Sequence, residues 1–192
     1  MGDAAPLDAP RRRDRAVLTA VVSSLVHRRP VDGREERSRE RTLVALGRLP
    51  MPFDQESDLT HVTGSALVLG PRGVLLHRHK RLGLWLQPGG HLEPGEAPWD
   101  AARRESREET GLDLVWPSPT TPPPLAHVDV HDGGRGHTHL DLRYQLVVAG
   151  ADDPRPPEHE SQDVRWFPWP EAIRLADPGL AGFLRQAVDR AG

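Results

Sequence analysis

Between Arg15 and His27 apolar residues recur as pairs four apart, Val17/Leu18, Val21/Val22 and Leu25/Val26. That spacing predicts an amphipathic helix. A second helix is predicted from Arg34 to about Leu49, with Leu43, Val44, Leu46 and Leu49 as its buried side, and Pro50, Pro52 and Asp54 break the chain after it. The Pro/Ala-rich residues 1–10 read as a mobile terminus. The two helices either cap the domain that follows or form the contact of a homodimer. From Thr60 the period shortens. Val62–Leu69 and Val74–His77, joined by Gly70-Pro71-Arg72-Gly73, predict a β-hairpin, and Leu84–Leu86 a short extended segment before Pro88-Gly89-Gly90. Ala97–Thr110 predicts a helix, with Pro98 in its first turn and Gly111 just past its end. Leu112–Trp116, Leu125–Val130, Thr138–Val148 and Val164–Phe167 predict strands, the middle two turning at Asp132-Gly133-Gly134, and two helices follow near Trp169–Ala176 and Leu180–Arg190. Strands around one central helix imply an α/β fold, a mixed sheet covered on both faces. The change at Thr60 divides the chain into a helical extension, 1–58, and a domain, 59–192.

Composition narrows the partners. The 192 residues suffice for one domain with a real core. A net charge of -3 gives no reason to expect a nucleic-acid polymer. The chain has no cysteine, which excludes disulfides and thiolate chemistry and is compatible with a cytoplasmic location. No apolar run approaches the ~18 residues of a membrane span. Arg11–Arg13 before Ala16–Val26 has the outline of a secretory leader. However, Asp14 and Arg15 interrupt it, and His27, Arg28, Arg29 and Pro30 stand where a small-residue cleavage site belongs, so the segment is read as helix.

The chemistry concentrates in Gly90–Leu112, GHLEPGEAPWDAARRESREETGL. On a helix Glu105, Glu108 and Glu109 share one face. Arg103 to Glu109 also fits a solvated helix face of mixed ion pairs. Against that, Glu105 and Glu109 are like charges one turn apart, repelling by roughly 3 kcal/mol at ~5.5 Å and an effective dielectric of ~20. They also sit late in the helix, where the macrodipole disfavours acid. A cation between them would reverse the sign.

The spacing of Gly90, Glu96, Arg104, Glu105, Glu108, Glu109 and Gly111 resembles the signature of the Nudix hydrolase family. Seven fixed positions at ~6% each would coincide by chance on the order of once in a million chains. One position departs: Ser106 stands where the family usually has an aliphatic residue, and a buried hydroxyl there is expected to bond back to a carbonyl of its own helix. The resemblance implies a Nudix-type α/β/α sandwich with the N-terminal helices as an addition. It implies a hydrolase that cleaves the diphosphate of a nucleoside diphosphate linked to a moiety X and needs Mg²⁺ or Mn²⁺. By resemblance Glu105, Glu108 and Glu109 are metal ligands, joined by the carbonyl of Gly89 or Gly90. Arg104, paired with Glu96, orients them. Gly90 and Gly95 permit the turns of the loop.

The general base falls outside the signature. Glu160 and Glu158, before the strand at Val164, are its candidates, and either also fits a plain solvent-facing loop. His139, Asp141 and Arg143 alternate with Leu140, Leu142 and Tyr144, so one face of that strand is polar. That face lines a substrate cleft or is simply hydrated. Histidine suits phosphate contacts near neutral pH, and arginine binds phosphate bidentately. The spacing of His127, His131, His137 and His139 matches no familiar transition-metal site. His91 either reaches the metal edge or faces water. Arg78, His79, Lys80, Arg81 and Trp85 either hold a phosphate and stack on a base or form an exposed loop. Two alternatives stand beside the hydrolase. A non-catalytic ligand-binding or regulatory protein on the same fold would have degraded carboxylates, which are intact here. An isopentenyl-diphosphate isomerase would need a catalytic cysteine, which is missing. The sequence does not identify X.

Overall fold

The computed structural model describes residues 9–148, 150 and 153–191. The predicted mobile terminus lies outside them up to residue 8, and a helix, α1 (Ala9–His27), begins directly afterwards. Val17, Val21 and Leu25 are its buried face, as the four-residue recurrence requires. In α2 (Gly33–Leu46), Asp32 caps the first turn by accepting from the amides of Arg34 and Glu35. The buried side of α2 agrees with the prediction at Leu46, with Leu43 and Leu49 packed at the edge of the core, but not at Val44. Val44 is exposed, and the buried residues are Glu35, Ser38, Thr42 and Leu46. The reason lies in what α2 covers.

β1 (Thr60–Gly70) and β2 (Gly73–Arg78) form the expected hairpin, with Val68 opposite Leu75. β3 (Trp85–Leu86) extends β2, and β4 (Gly89–His91) lies antiparallel to β1. The sequence reads β4 as a turn because two glycines carry no β signal. α3 (Pro98–Thr110) ends at Gly111 in the left-handed conformation, φ 67°. β5 (Leu114–Val115) and β6 (His127–Gly134) flank β7 (His137–Val148), and β7 runs parallel to β1 from Thr60/Thr138 to Leu69/Val147. The β6–β7 turn falls one step later than predicted, at Arg135-Gly136. Both residues have positive φ, and a bulge at Asp132–Gly134 absorbs the shift. β8 (Val164–Phe167) pairs with β2, and α4 (Trp169–Leu175) and α5 (Pro178–Ala191) close the chain.

The result is one mixed sheet with helices on its sides. One face packs under α3 and α1: Val62, Ala66 and Val68 of β1 and Leu140, Leu142 and Tyr144 of β7 join Ala101, Ala102, Val21 and Leu25. α3 comes very close to β1. A Cβ on Gly64 would lie 2.2 Å from the carbonyl oxygen of Pro98. On the opposite face Leu67, Val74, Leu76 and Phe167 pack against Leu180, Phe183 and Leu184 of α5.

β6 pairs only with β7, so its outer amides need partners. α2 supplies them. The Val128 amide donates to Glu35 Oε1 at 3.2 Å and the Val130 amide to Ser38 Oγ at 3.1 Å. A helix that caps a strand edge this way buries acceptors beside its leucines, which explains why Glu35 and Ser38 are buried in α2. The helices thus cap the sheet, the first of the two arrangements expected of them. Among the described residues no helix is long and apolar enough to cross a membrane.

Candidate active site

Glu105, Glu108 and Glu109 do project from one side of α3, toward the loop that carries β4. Arg104 organises them. Its guanidinium donates to Glu96 Oε1 (3.0 Å) and Oε2 (2.9 Å), to Glu105 Oε1 (2.9 Å), to Glu108 Oε2 (3.1 Å) and to the carbonyl of His91 (2.9 Å). The bidentate bond to Glu96 fixes the plane of the arginine, and Glu96 also accepts from the Glu93 amide at 2.9 Å, which closes the loop. Gly90 is required for space, not for its φ. A Cβ there would stand 2.6 Å from the Glu105 carboxylate. Gly95 does have the positive φ, 76°, expected of a turn glycine.

Glu109 is the most enclosed of the three. Its Oε2 accepts from the Gly89 amide at 3.0 Å and its Oε1 lies 3.6 Å from His77 Nδ1. Burial pushes its carboxyl up to about 8, against the pull of the Gly89 amide and with the help of the charges of Glu105, Glu160 and Glu108. Burial also raises Glu105, partly offset by Arg104. Burial, and then His79, lower His77 to about 4. Two carboxylates held side by side, half out of water and with one arginine between them and their neighbours, form an oxygen-donor set that suits a hard divalent cation. Ser106 is fully buried and bonds back to the Ala102 carbonyl at 2.6 Å, as expected.

The remaining predicted residues separate. Glu160 is partly buried in the turn before β8, where its charge reaches Glu109, whereas Glu158 is exposed. Arg78 turns to the Gly83 carbonyl (3.2 Å) and to Asp163 (3.8 Å). Arg81 donates to the Gly133 carbonyl at 3.3 Å and lines a cavity of about 590 Å³ together with His91, His137, His139 and Glu56. Arg143 does not line an open cleft. It is buried, with Nε 2.8 Å from Asp141 Oδ2 and Nη2 3.6 Å from Asp129 Oδ2.

These residues belong to ranks that cross β1, β7 and β6 on the face opposite α3. His61, His139 and His131 form one rank, Thr63, Asp141 and Asp129 the next, and Ser65, Arg143 and His127 the third. Thr63 and Ser65 donate to Asp141 at 3.2 and 3.0 Å, and Arg34 of α2 donates to Asp129 at 2.9 Å. The alternation predicted for β7 is therefore present, but its polar side is an ionic layer closed by α2 rather than a hydrated surface. Two residues beside the site carried no sequence signal. His77 ends the apolar run Val74-Leu75-Leu76, and His61 starts a strand far from the other histidines in the chain.

The sequence profile of the NUDIX domain matches residues 59–187. The chain is similar to the asymmetrical bis(5'-nucleosyl)-tetraphosphatase of Caenorhabditis elegans, 31% identical over 104 residues, covering 52% of this chain and 70% of that protein. It is similar to an RNA pyrophosphohydrolase of Rhodopseudomonas palustris, 27% identical over 153 residues, covering 69% of this chain and 90% of the relative. Among solved structures, a NUDIX-family hydrolase from Clostridium perfringens superposes with a TM-score of 0.55 at 27% identity, covering 67% of this chain and 94% of that one.

Proposed function

The chain belongs to the Nudix hydrolase family, whose chemistry is hydrolysis of a pyrophosphate bond, and from that premise we propose that it cleaves a nucleoside diphosphate linked to a second moiety, with Mg²⁺ or Mn²⁺ as cofactor. One observation supports this reading above the others. The Glu105 and Glu109 carboxyls, one turn apart at the Gly89–Gly90 loop, are both raised by burial, so ionising the pair is costly unless a cation joins it. Glu105, Glu108, Glu109 and the Gly90 carbonyl would hold the ion. When bound, it would neutralise the diphosphate and lower the pKa of the attacking water.

The protein's own residues divide the remaining work. Arg104 fixes the Glu105 and Glu108 carboxylates through its bonds to both and to Glu96. Glu160, whose charge reaches Glu109, accepts the proton of the attacking water, and exposed Glu158 does not. Arg81 contacts the phosphates from the cavity it lines. The hydrolase domain comprises residues 59–192, and α2 of the preceding extension braces the β6 edge.

The test is a product-release screen over dinucleoside polyphosphates, nucleotide sugars, ADP-ribose and nucleoside triphosphates with Mg²⁺ and with Mn²⁺. We expect turnover of at least one compound with metal and none with chelator. If every compound survives both metals, the proposal fails.

A further inference from the structure

Three strands bring together three imidazoles that the hydrolytic chemistry does not use. His61 of β1 sits directly beside His139 of β7, and His91 of β4 lies opposite Thr63, two residues along. The ring centroids of the three are 5.0–5.2 Å apart. One ring nitrogen from each lies within 4.8 Å of the others. We propose that His61, His91 and His139 form a binding site for a borderline transition cation of the Zn²⁺ class, separate from the carboxylates of α3.

His61 carries the argument. It is fully buried, and its Nδ1 lies 3.0 Å from the Asp58 carbonyl. A carbonyl only accepts, so Nδ1 bears the proton and Nε2 bears the lone pair. That Nε2 is buried without a hydrogen-bond partner. An orphaned buried acceptor is destabilising, and coordination would satisfy it. A backbone carbonyl that holds the distal N–H is also how proteins fix the tautomer of a metal-binding histidine.

Distance and donor type agree. Three nitrogens at the 4.8 Å limit would place an ion about 2.8 Å from each, so the rings need to close by no more than about 0.7 Å to reach the 2.0–2.1 Å of a Zn–N bond. Neutral imidazole suits Zn²⁺ and its neighbours in the first transition row, and Mg²⁺ prefers oxygen. His91 and His139 face the cavity that also holds Arg81, which leaves a fourth position for water or an anion. His131, drawn 3.3 Å from Asp129, is committed elsewhere.

The two sites are distinguished by strand alternation. Gly90 abuts Glu105 on the α3 side, while His91, the next residue, faces the other way. The test uses the full chain, stripped with chelator and titrated with Zn²⁺ by calorimetry in excess Mg²⁺, and with Co²⁺ by visible absorption. We expect one equivalent of Zn²⁺ to bind in the wild type and in Glu109→Gln alike. His91→Ala and His139→Ala, both at partly exposed positions, should each weaken it more than about 100-fold, beyond what loss of a supporting hydrogen bond costs. Circular dichroism verifies that both variants fold. The proposal is overturned if no Zn²⁺ binds, if affinity is unchanged in both histidine variants, or if Glu109→Gln alone removes the bound equivalent.

Discussion

Replacing Glu35 with alanine tests whether the N-terminal helices are part of the folded sheet. The Glu35 carboxylate is wholly buried and accepts four hydrogen bonds: Arg28 Nε at 2.7 Å, Arg28 Nη2 at 3.3 Å, the Val31 amide at 2.6 Å and the Val128 amide at 3.2 Å. Alanine leaves the nearly buried Arg28 guanidinium without its counter-ion, which costs about 3–5 kcal/mol in buried pairs. The orphaned Val128 amide, on a strand edge with no further strand, lies within that sum at about 1–3 kcal/mol. At about 2–4 °C per kcal/mol for a chain of this size, a loss of about 4 kcal/mol lowers Tm by about 8–16 °C. Glu35→Gln keeps one carbonyl oxygen and should lose about half as much. Urea titration at neutral pH measures both variants. Hydrogen exchange over residues 127–134 should quicken in Glu35→Ala, since β6 loses an edge acceptor. A Glu35→Ala chain within about 1 kcal/mol of wild type, with β6 protection unchanged, would refute the claim that this carboxylate completes the sheet.

Three further outcomes are expected. Glu109→Gln should lower metal-dependent turnover by orders of magnitude while its unfolding midpoint stays near wild type, and unchanged turnover would remove Glu109 from the site. His127, which burial, and then Arg143, hold down at about 2, binds its proton only on unfolding, so its contribution is complete above pH ~6.5 and declines as pH falls below that value toward its folded pKa. Substituting Phe for His127, which already packs 5.2 Å from Phe183, should therefore flatten the acid loss of stability between pH 6 and 4 by up to about 1.4 kcal/mol per pH unit relative to wild type; parallel pH curves for the two proteins would contradict that assignment. Gly64→Ala, whose new methyl meets the Pro98 carbonyl at 2.2 Å, should cost about 1–3 kcal/mol by pushing α3 off β1, and calorimetric Tm values equal within error would show that the helix yields freely.

The sequence made α3 legible because several signals agree there: Pro98 at its start, Gly111 at its end and acidic residues in helical register. The hairpin and β7 were equally readable from their period. β4 was not, since Gly-Gly-His has no alternation and is ordered only by its pairing with β1. The inner side of α2 was read only in part, because hydrophobic periodicity finds Leu46 but cannot register Glu35 and Ser38 as buried, and the amides of β6 give them a reason to be. For Arg143 the alternation gave the correct face of β7 but not what covers that face. Asp129, supplied from the neighbouring strand, converts a supposed phosphate contact into an internal ion pair. The histidine triad was hidden for another reason. His61, His91 and His139 are spread over 79 positions, and the parallel pairing of β1 with β7 and the antiparallel pairing of β4 with β1 bring them together.

β1 serves two masters on alternate residues, with Val62, Gly64 and Ala66 backing α3 and His61, Thr63 and Ser65 supporting the ionic layer. Lengthening that strand by a single amino acid would rotate both sets to the wrong side, placing imidazole in oil and methyl groups among charges. Lengthening it by two would restore the parity and only slide the contacts along by one rung. Insertions in this segment are therefore tolerated, if at all, in even numbers.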